Sequence, residues 1–505
     1  MEIKVKKGAL AKERGEVLVL SHYEGEPPTD EVASVDKAIG GKIREVIASE
    51  EFTGKFLQTM VLRTDGKIAS PRLLLLGLGK RSEITLDRIR QGMGKAAMQV
   101  REMGLVQLST QLHGKGLPRV SAHDLAEALV GGMLLGLYQF QTFKTDRQAL
   151  PKEIRDCTLI DSDEKKIVDI QMGALRGKLI AESVNYVRDL CNTPSNIVTP
   201  SRLAEEAKRI GSEYNMRVSV LERSDIEQLG MGAFLAVAKG TVEPPKFIVL
   251  EYEGAKRKGR PVALIGKSVT FDSGGISLKP ADNMEQMKYD MSGGATVLGT
   301  MKVAAQLKLP INLVGFLPAT DNMPSGTAIH PGDVVTTLSG KTVEIINTDA
   351  EGRLCLADAL AYALRHKPVV MIDLATLTGA VVVALGHHAI GLMGNDPRLI
   401  SEIQAAGDET GERVWPLPLW DDYFNQIKSD VADLKNTGGR PGGTITAALF
   451  LKQFVGETPW VHLDIAGTSW NSDGGRPYIP KGSTGTGLRL LVQYLTNLSK
   501  RRPHI

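Results

Sequence analysis

The chain has 505 residues, too many for one ordinary hydrophobic core, so two domains are expected. Its 61 Lys and Arg nearly cancel 58 Asp and Glu, leaving a formal charge of +3, which gives no general argument for nucleic acid or membrane binding and leaves room only for a local basic patch. The three cysteines, Cys157, Cys191 and Cys355, are widely spaced and odd in number, which argues against a disulfide framework or a thiolate zinc site and for a reducing compartment. Charges interrupt every apolar stretch near the N-terminus, so no signal-peptide core is present, and the longest apolar runs are strand-sized. A cytoplasmic protein without a membrane span is expected.

In chain order, residues 17–20 and 73–76 are short apolar runs bounded by polar or glycine residues, as buried strands are. Residues 83–103 and 121–143 carry apolar side chains at helical spacing. Alternating strand and helix predicts an α/β N-terminal domain over 1–165 with a largely parallel sheet. A charged run at 161–166 marks a boundary, and 166–192 is predicted as a connecting helix that stops before Pro194. The second domain, 193–505, begins where Thr199 can cap a helix with Pro200 at its first position. Strands are predicted at 261–266, 343–346 and 371–374, and helices at 283–307, loosened by Gly293-Gly294, and at 353–366. The fold expected is α/β throughout, with a smaller N-terminal domain and a larger α/β/α domain around a mixed sheet.

Polar residues of unusual type follow three of these strands, at Lys267 and Asp272, at 347–353, and at 376–379. Open α/β sheets bind ligands beyond the carboxyl ends of their strands. In Asn347-Thr348-Asp349-Ala350-Glu351-Gly352-Arg353, an extended backbone would send Asn347, Asp349, Glu351 and Arg353 to one side. Two carboxylates beside a guanidinium suit hard or borderline cations, although acids at a helix N-terminus also complement the macrodipole. Upstream, Lys267 and Lys279 flank Asp272 and the Gly274-Gly275 pair, and Asp290 follows on the next helix. Such lysines need partners. Ordinary salt bridges would suffice; the functional alternative has one lysine as a neutral metal ligand and the other as an ammonium that stabilises an oxyanion.

The segments VTFDSGGISLKP, MEQMKYDM, PATDNMPSGTAIHPGDVV, NTDAEGRL, IDLATLTGA and HLDIAGTSW closely resemble signature segments of the leucyl aminopeptidase (cytosol aminopeptidase) family, over about 185–495. The resemblance implies a binuclear metallo-exopeptidase holding two divalent ions per subunit, zinc or, at one site, manganese or magnesium. Position by position, Lys267, Asp272, Asp290 and Glu351 would hold one ion, and Asp272, Asp349 and Glu351 the other. Lys279 would be the free ammonium near the scissile carbonyl, and Arg353 would hold a bicarbonate ion acting as general base. Met287, Asn347, Ala350, Thr376, Leu377 and Gly379 would line the substrate pocket. Ser268 departs from the glycine common after the metal-binding lysine, but this change removes no ligand. The resemblance also implies peptide substrates with leucine or other mainly apolar first residues, and a homohexamer.

Other motifs are weaker. Gly77-Leu78-Gly79-Lys80 lacks the third glycine of a dinucleotide fingerprint, and Gly340-Lys341-Thr342 lacks the earlier glycine of a phosphate loop. His387-His388 is poorly spaced for one ion, and His330 and His462 are expected to be packed or hydrogen-bonded. The loop 438–443 is a turn or a piece of the substrate entrance. The competing reading from another class is a DNA-binding regulator acting through the N-terminal domain, which the near-neutral composition does not favour. A catalytically dead scaffold is a third reading, opposed by the full set of expected ligands.

Overall fold

In the computed structural model, residues 1–146, 150–255, 259–472 and 474–501 are described. Two compact units are present. One comprises Met1–Glu182 and a short later segment closing at Pro480; the other runs from Ser183 to Ser472 and resumes at Lys481.

In the first unit, β1 (Glu2–Lys7), β2 (Val17–His22), β3 (Thr59–Arg63), β4 (Arg72–Gly77), β5 (Gln107–Gln111) and β6 (Asp156–Asp161) form one sheet in the order β1-β6-β5-β2-β4-β3. All neighbours are parallel except β3 on β4. The apolar runs of β2 and β4 are buried on both faces, as strands sandwiched between helices must be. Val17, Val19, Leu74 and Leu76 pack toward the helices Leu86–Glu102 and Ala122–Gly136. Leu18, Leu20, Leu73 and Leu75 pack toward Asp30–Ala38 and Lys42–Ala48 on the other face. The period-two alternation of a strand divides one leucine run between two cores. Thr85 and Ser121 cap their helices by accepting from the backbone N–H of Arg88 and Asp124.

The connecting helix is Ile167–Asn192, and the two units part within it, after Glu182. Boundaries drawn at 165 and 192 therefore differ from this division, as does assigning everything after 193 to one domain. In the short later segment, Tyr478 is buried and donates a 2.6 Å hydrogen bond to Asp87 of the same unit.

In the second unit, the strands are β7 (Arg217–Leu221), β8 (Lys246–Glu253), β9 (Val262–Gly266), β10 (Ser268–Asp272), β11 (Asn312–Asn322), β12 (Val334–Thr336), β13 (Thr342–Glu344), β14 (Val370–Ala375), β15 (Ile390–Gly394), β16 (Val414–Pro416), β17 (Leu434–Lys435) and β18 (Trp460–Asp464). The large mixed sheet has the order β16-β15-β18-β14-β9-β11-β8-β7, and β10 adds to the far end of β11. Four central strands, β18, β14, β9 and β11, are parallel, so their carboxyl ends share one edge. Thr199 caps the helix Pro200–Tyr214 from its side chain, with the proline at its start. The predicted helix 283–307 is a 3₁₀ turn, Met284–Met291, followed by an α-helix, Ser292–Gln306. The change of geometry precedes the glycine pair, whose role is close approach. A Cβ on Gly293 would meet the Leu374 carbonyl at 2.1 Å, and one on Gly294 would meet the Ser268 hydroxyl at 2.1 Å. No helix among the described residues is long and apolar enough to cross a membrane.

Candidate metal and substrate site

Lys267 is the first residue beyond β9, Asp272 ends β10, Asp290 lies in the 3₁₀ turn, and Asp349 and Glu351 precede the helix Gly352–Ala363. These stretches converge at the carboxyl edge of the large sheet. Asp272, Asp290 and Glu351 each bring a carboxylate oxygen within 4.8 Å of the others. Lys267, only 3% exposed, places Nζ 2.7 Å from Asp290 Oδ2 and 2.7 Å from Glu351 Oε1, and donates to the Thr376 carbonyl at 3.0 Å. Lys279 lies 2.8 Å from Asp272 Oδ2 and also pairs with Asp349. Gly352 makes room for this arrangement, because a Cβ there would sit 2.4 Å from Lys267 Cε.

The segment 347–353 does not run extended, so the alternation expected of it is replaced by a turn. Ala350 N–H donates to the Asn347 carbonyl, Asp349 N–H donates to the Asn347 side chain at 2.9 Å, and Glu351 already has helical dihedrals. Helix propagation from Gly352 overrides the strand geometry. Thr348 is buried and ties this turn to the upstream loop, donating to the Gly274 carbonyl at 2.6 Å and accepting from Ser277 N–H at 2.8 Å. Pairing of β13 with β17 brings in Asn436, which the sequence did not single out. It accepts from Ile346 N–H and donates to the Asn347 carbonyl, while its own carbonyl receives Arg353 Nη1 at 2.9 Å.

The electrostatics are those of crowded acids. Burial, aided by neighbouring carboxylates, pushes the carboxyls of Asp290, Glu351 and Asp349 above their ordinary range. Burial opposes the charge on Lys267 and Lys279, but the surrounding carboxylates outweigh it and raise both ammoniums. Asp290 Oδ2, Glu351 Oε1 and Asp349 Oδ1 are buried without a well-directed hydrogen bond, their close neighbours being the lysine ammoniums. Four carboxylates and one amine around a small volume, with acceptor oxygens left over, are a donor set that fits zinc or manganese. Arg353 is buried, which lowers its guanidinium to about 10, and it makes no ion pair among the described residues; its Nε is unpartnered. That fits a small anion.

Beside this cage lies a cavity of about 910 Å³. Lys267, Asp272, Lys279, Asp290, Asp349 and Arg353 line it, as do Met287, Asn347, Ala350, Thr376, Leu377 and Gly379. Glu351 is not among the lining residues; it is buried against Lys267. Lining residues not anticipated from sequence include Tyr289, Val382, Leu417, Ile445 and Ala466, and the loop 438–443 contributes Gly439, Arg440, Gly442 and Gly443. The loop carried a signal in its glycines, and Tyr289 and Ala466 lie within the segments MEQMKYDM and HLDIAGTSW, whereas Val382, Leu417 and Ile445 carried none. Asp464, at the end of β18, holds the lining segment in place, accepting from Leu377 N–H at 3.2 Å, Thr378 at 2.7 Å and Thr444 at 3.0 Å. The histidines serve elsewhere: His387 bonds the Gly467 carbonyl, His462 is buried against Asp373, and His330 is exposed beside Asp333.

Comparison with known proteins matches this architecture in both units. The catalytic-domain model of the cytosol aminopeptidase family matches residues 185–492, and the N-terminal-domain model of the same family matches 19–147. A protein named probable cytosol aminopeptidase from Geobacter sp. (strain M21) is 50% identical over 461 residues, covering 91% of this chain and 92% of that protein. Its counterpart from Geotalea uraniireducens (strain Rf4) is 49% identical over 466 residues, covering 92% and 93%. Among solved structures, a tomato leucine aminopeptidase mutant is similar with a TM-score of 0.87 at 34% identity, covering 98% of this chain and 96% of that one. The bottromycin maturation enzyme BotP in complex with Mn has a TM-score of 0.85 at 32% identity, covering 96% and 100%. With both domain models matched in order and half the residues shared across nine-tenths of its length, the chain belongs to the cytosol aminopeptidase family.

Proposed function

We propose that this chain is a metal-dependent aminopeptidase that removes leucine and other mainly apolar residues from the N-terminus of peptides, using the cage at the carboxyl edge of its large sheet. The observation that supports this reading is the convergence of Lys267, Asp272, Asp290, Asp349 and Glu351 from distant stretches of chain beside one cavity. Lys267, Asp272, Asp290 and Glu351 would hold one divalent cation and Asp272, Asp349 and Glu351 a second, zinc or, at one of the two sites, manganese or magnesium, while Arg353 would hold bicarbonate. When bound, the cations supply Lewis acidity and the anion a proton acceptor.

The protein groups do the rest. Lys279 stays an ammonium between Asp272 and Asp349 and donates to the oxygen on which negative charge develops. A carboxylate-rich cage next to an apolar wall suits a free α-amine and an apolar side chain on one carbon, which is what the first residue of a peptide offers. Met287, Thr376, Leu377 and Gly379 receive that side chain, with Asn347 and Ala350 alongside. Asp464 fixes the segment 376–379, so that the wall and the cage keep their spacing.

The test uses purified protein stripped with a chelator and reloaded with zinc or manganese. Reloaded protein is expected to hydrolyse leucyl amide and leucyl dipeptides, and to leave N-acetylated substrates intact. No hydrolysis, or equal hydrolysis of blocked substrates, would overturn the assignment. A homohexamer in the cytoplasm completes the proposal. The three buried free cysteines fit a reducing compartment, and sedimentation equilibrium should return about six times the 54.6 kDa chain mass.

A further inference from the structure

Asn322 ends β11 and is 3% exposed, with no charge to bring to the cage. Its side chain nevertheless occupies the joint between two of the three segments that carry the acids, those of Asp272 and of Asp349 and Glu351. Nδ2 donates to Asp272 Oδ1 at 2.8 Å and to the Thr348 carbonyl at 3.1 Å. Its own carbonyl accepts from Ser273 N–H at 3.0 Å and from the Ser273 hydroxyl at 2.7 Å. A Cβ on Gly275 would lie 2.8 Å from Asn322 Oδ1, so the upstream loop is packed directly on the amide.

We infer that Asn322 is a positioning residue for the metal centre, one that aims the Asp272 carboxylate and locks the 272–279 loop to the 347–351 turn. The geometry assigns the two oxygens of Asp272 different duties. Oδ1 is held by two donors, Asn322 Nδ2 and Gly274 N–H at 2.9 Å, whereas Oδ2 faces the cage and Lys279. An amide suits this joint because it supplies two N–H donors without charge: one serves a carboxylate, the other a carbonyl of the second segment. The slip in register between β10 and β11 after Val269 brings Asp272 opposite Asn322, so both sit where the parallel pairing ends and side-chain bonds must take over. Groups that orient a metal ligand in this way commonly change affinity by about 10–100-fold when removed.

The inference rests on the metallopeptidase reading, and the experiment separates the two. Chelator-stripped wild type, N322A and N322D are titrated with Mn²⁺, free ion being followed by its paramagnetic resonance signal, and thermal unfolding of each stripped protein is recorded alongside. N322A is expected to weaken manganese binding about 10–100-fold. N322D, which sets a second carboxylate against Asp272, is expected to weaken it further, and saturating manganese should restore most of kcat in N322A. Variants that bind manganese as wild type does overturn the inference, whatever happens to their unfolding. Should N322A fail to fold, the shape-preserving N322D decides by the same criterion. Wild type that binds no manganese overturns the underlying reading, and this inference with it.

Discussion

Lys279 and Gly352 separate two kinds of contribution at the level of single residues. Lys279 pairs with Asp272 and Asp349 but is not itself one of the proposed metal ligands, so Lys279→Met should leave metal content unchanged while lowering kcat by about 10²–10³, the loss typical of one oxyanion donor. Metal analysis beside steady-state kinetics checks both halves. Gly352 contributes only the absence of a side chain. The Lys267 chain it accommodates cannot swing away, because its Nζ is held by Asp290, Glu351 and the Thr376 carbonyl. Gly352→Ala, although alanine favours the helix, should therefore displace the amine and cost about 10² in kcat/KM with little change in unfolding temperature. Residue identity was legible at these positions, since lysines, acids and glycines of this kind are unusual after buried strands. What could not be read was the role of uncharged organisers such as Asn436 and Thr348, whose types are common in any turn.

Between elements, one tight constraint is the helix Ser292–Gln306 against the sheet. Gly293→Ala would drive a methyl into the Leu374 carbonyl and the Lys267 backbone, so a destabilisation of about 1–3 kcal/mol is expected in chemical unfolding, with loss of activity following from the displaced strand end. In the first unit, the end of β5 is organised by His113, fully buried between Ser21 and Thr110. Burial, with nearby Lys115, lowers its pKa from 6.5 to about 3. The folded state thus keeps His113 neutral, while the unfolded chain takes up a proton below about pH 6.5. Its contribution is intact above that pH and is lost as pH falls toward 3, on the order of a few kcal/mol in all. His113→Gln should flatten the pH dependence of stability between pH 6.5 and 4 relative to wild type, as denaturant midpoints would show. Strand and helix existence followed from periodicity and caps. The turn at 347–353 did not, because an alternating polar segment reads equally as a strand end or as the approach to a helix N-terminus.

For the molecule as a whole, a bound ion that prefers the folded state adds stability by mass action, about 2.7 kcal/mol at a hundred times its dissociation constant. Excess chelator should accordingly lower the thermal midpoint of loaded protein, and added zinc or manganese should restore it; an unchanged midpoint in calorimetry would count against ion binding at the proposed site. The sequence by itself determined the α/β alternation, the family and the chemical types of the cage residues, because local periodicity and long ordered motifs survive without knowledge of distance. Only the tertiary structure decided how those residues meet: which parallel strands lie side by side, where the β10–β11 register slips, how Asp464 and Asn436 support the walls, and why the segment closing at Pro480 packs with the first unit. Such contacts join residues far apart in the chain, and they are set by packing and hydrogen-bond satisfaction in three dimensions, which leave no periodic trace along one.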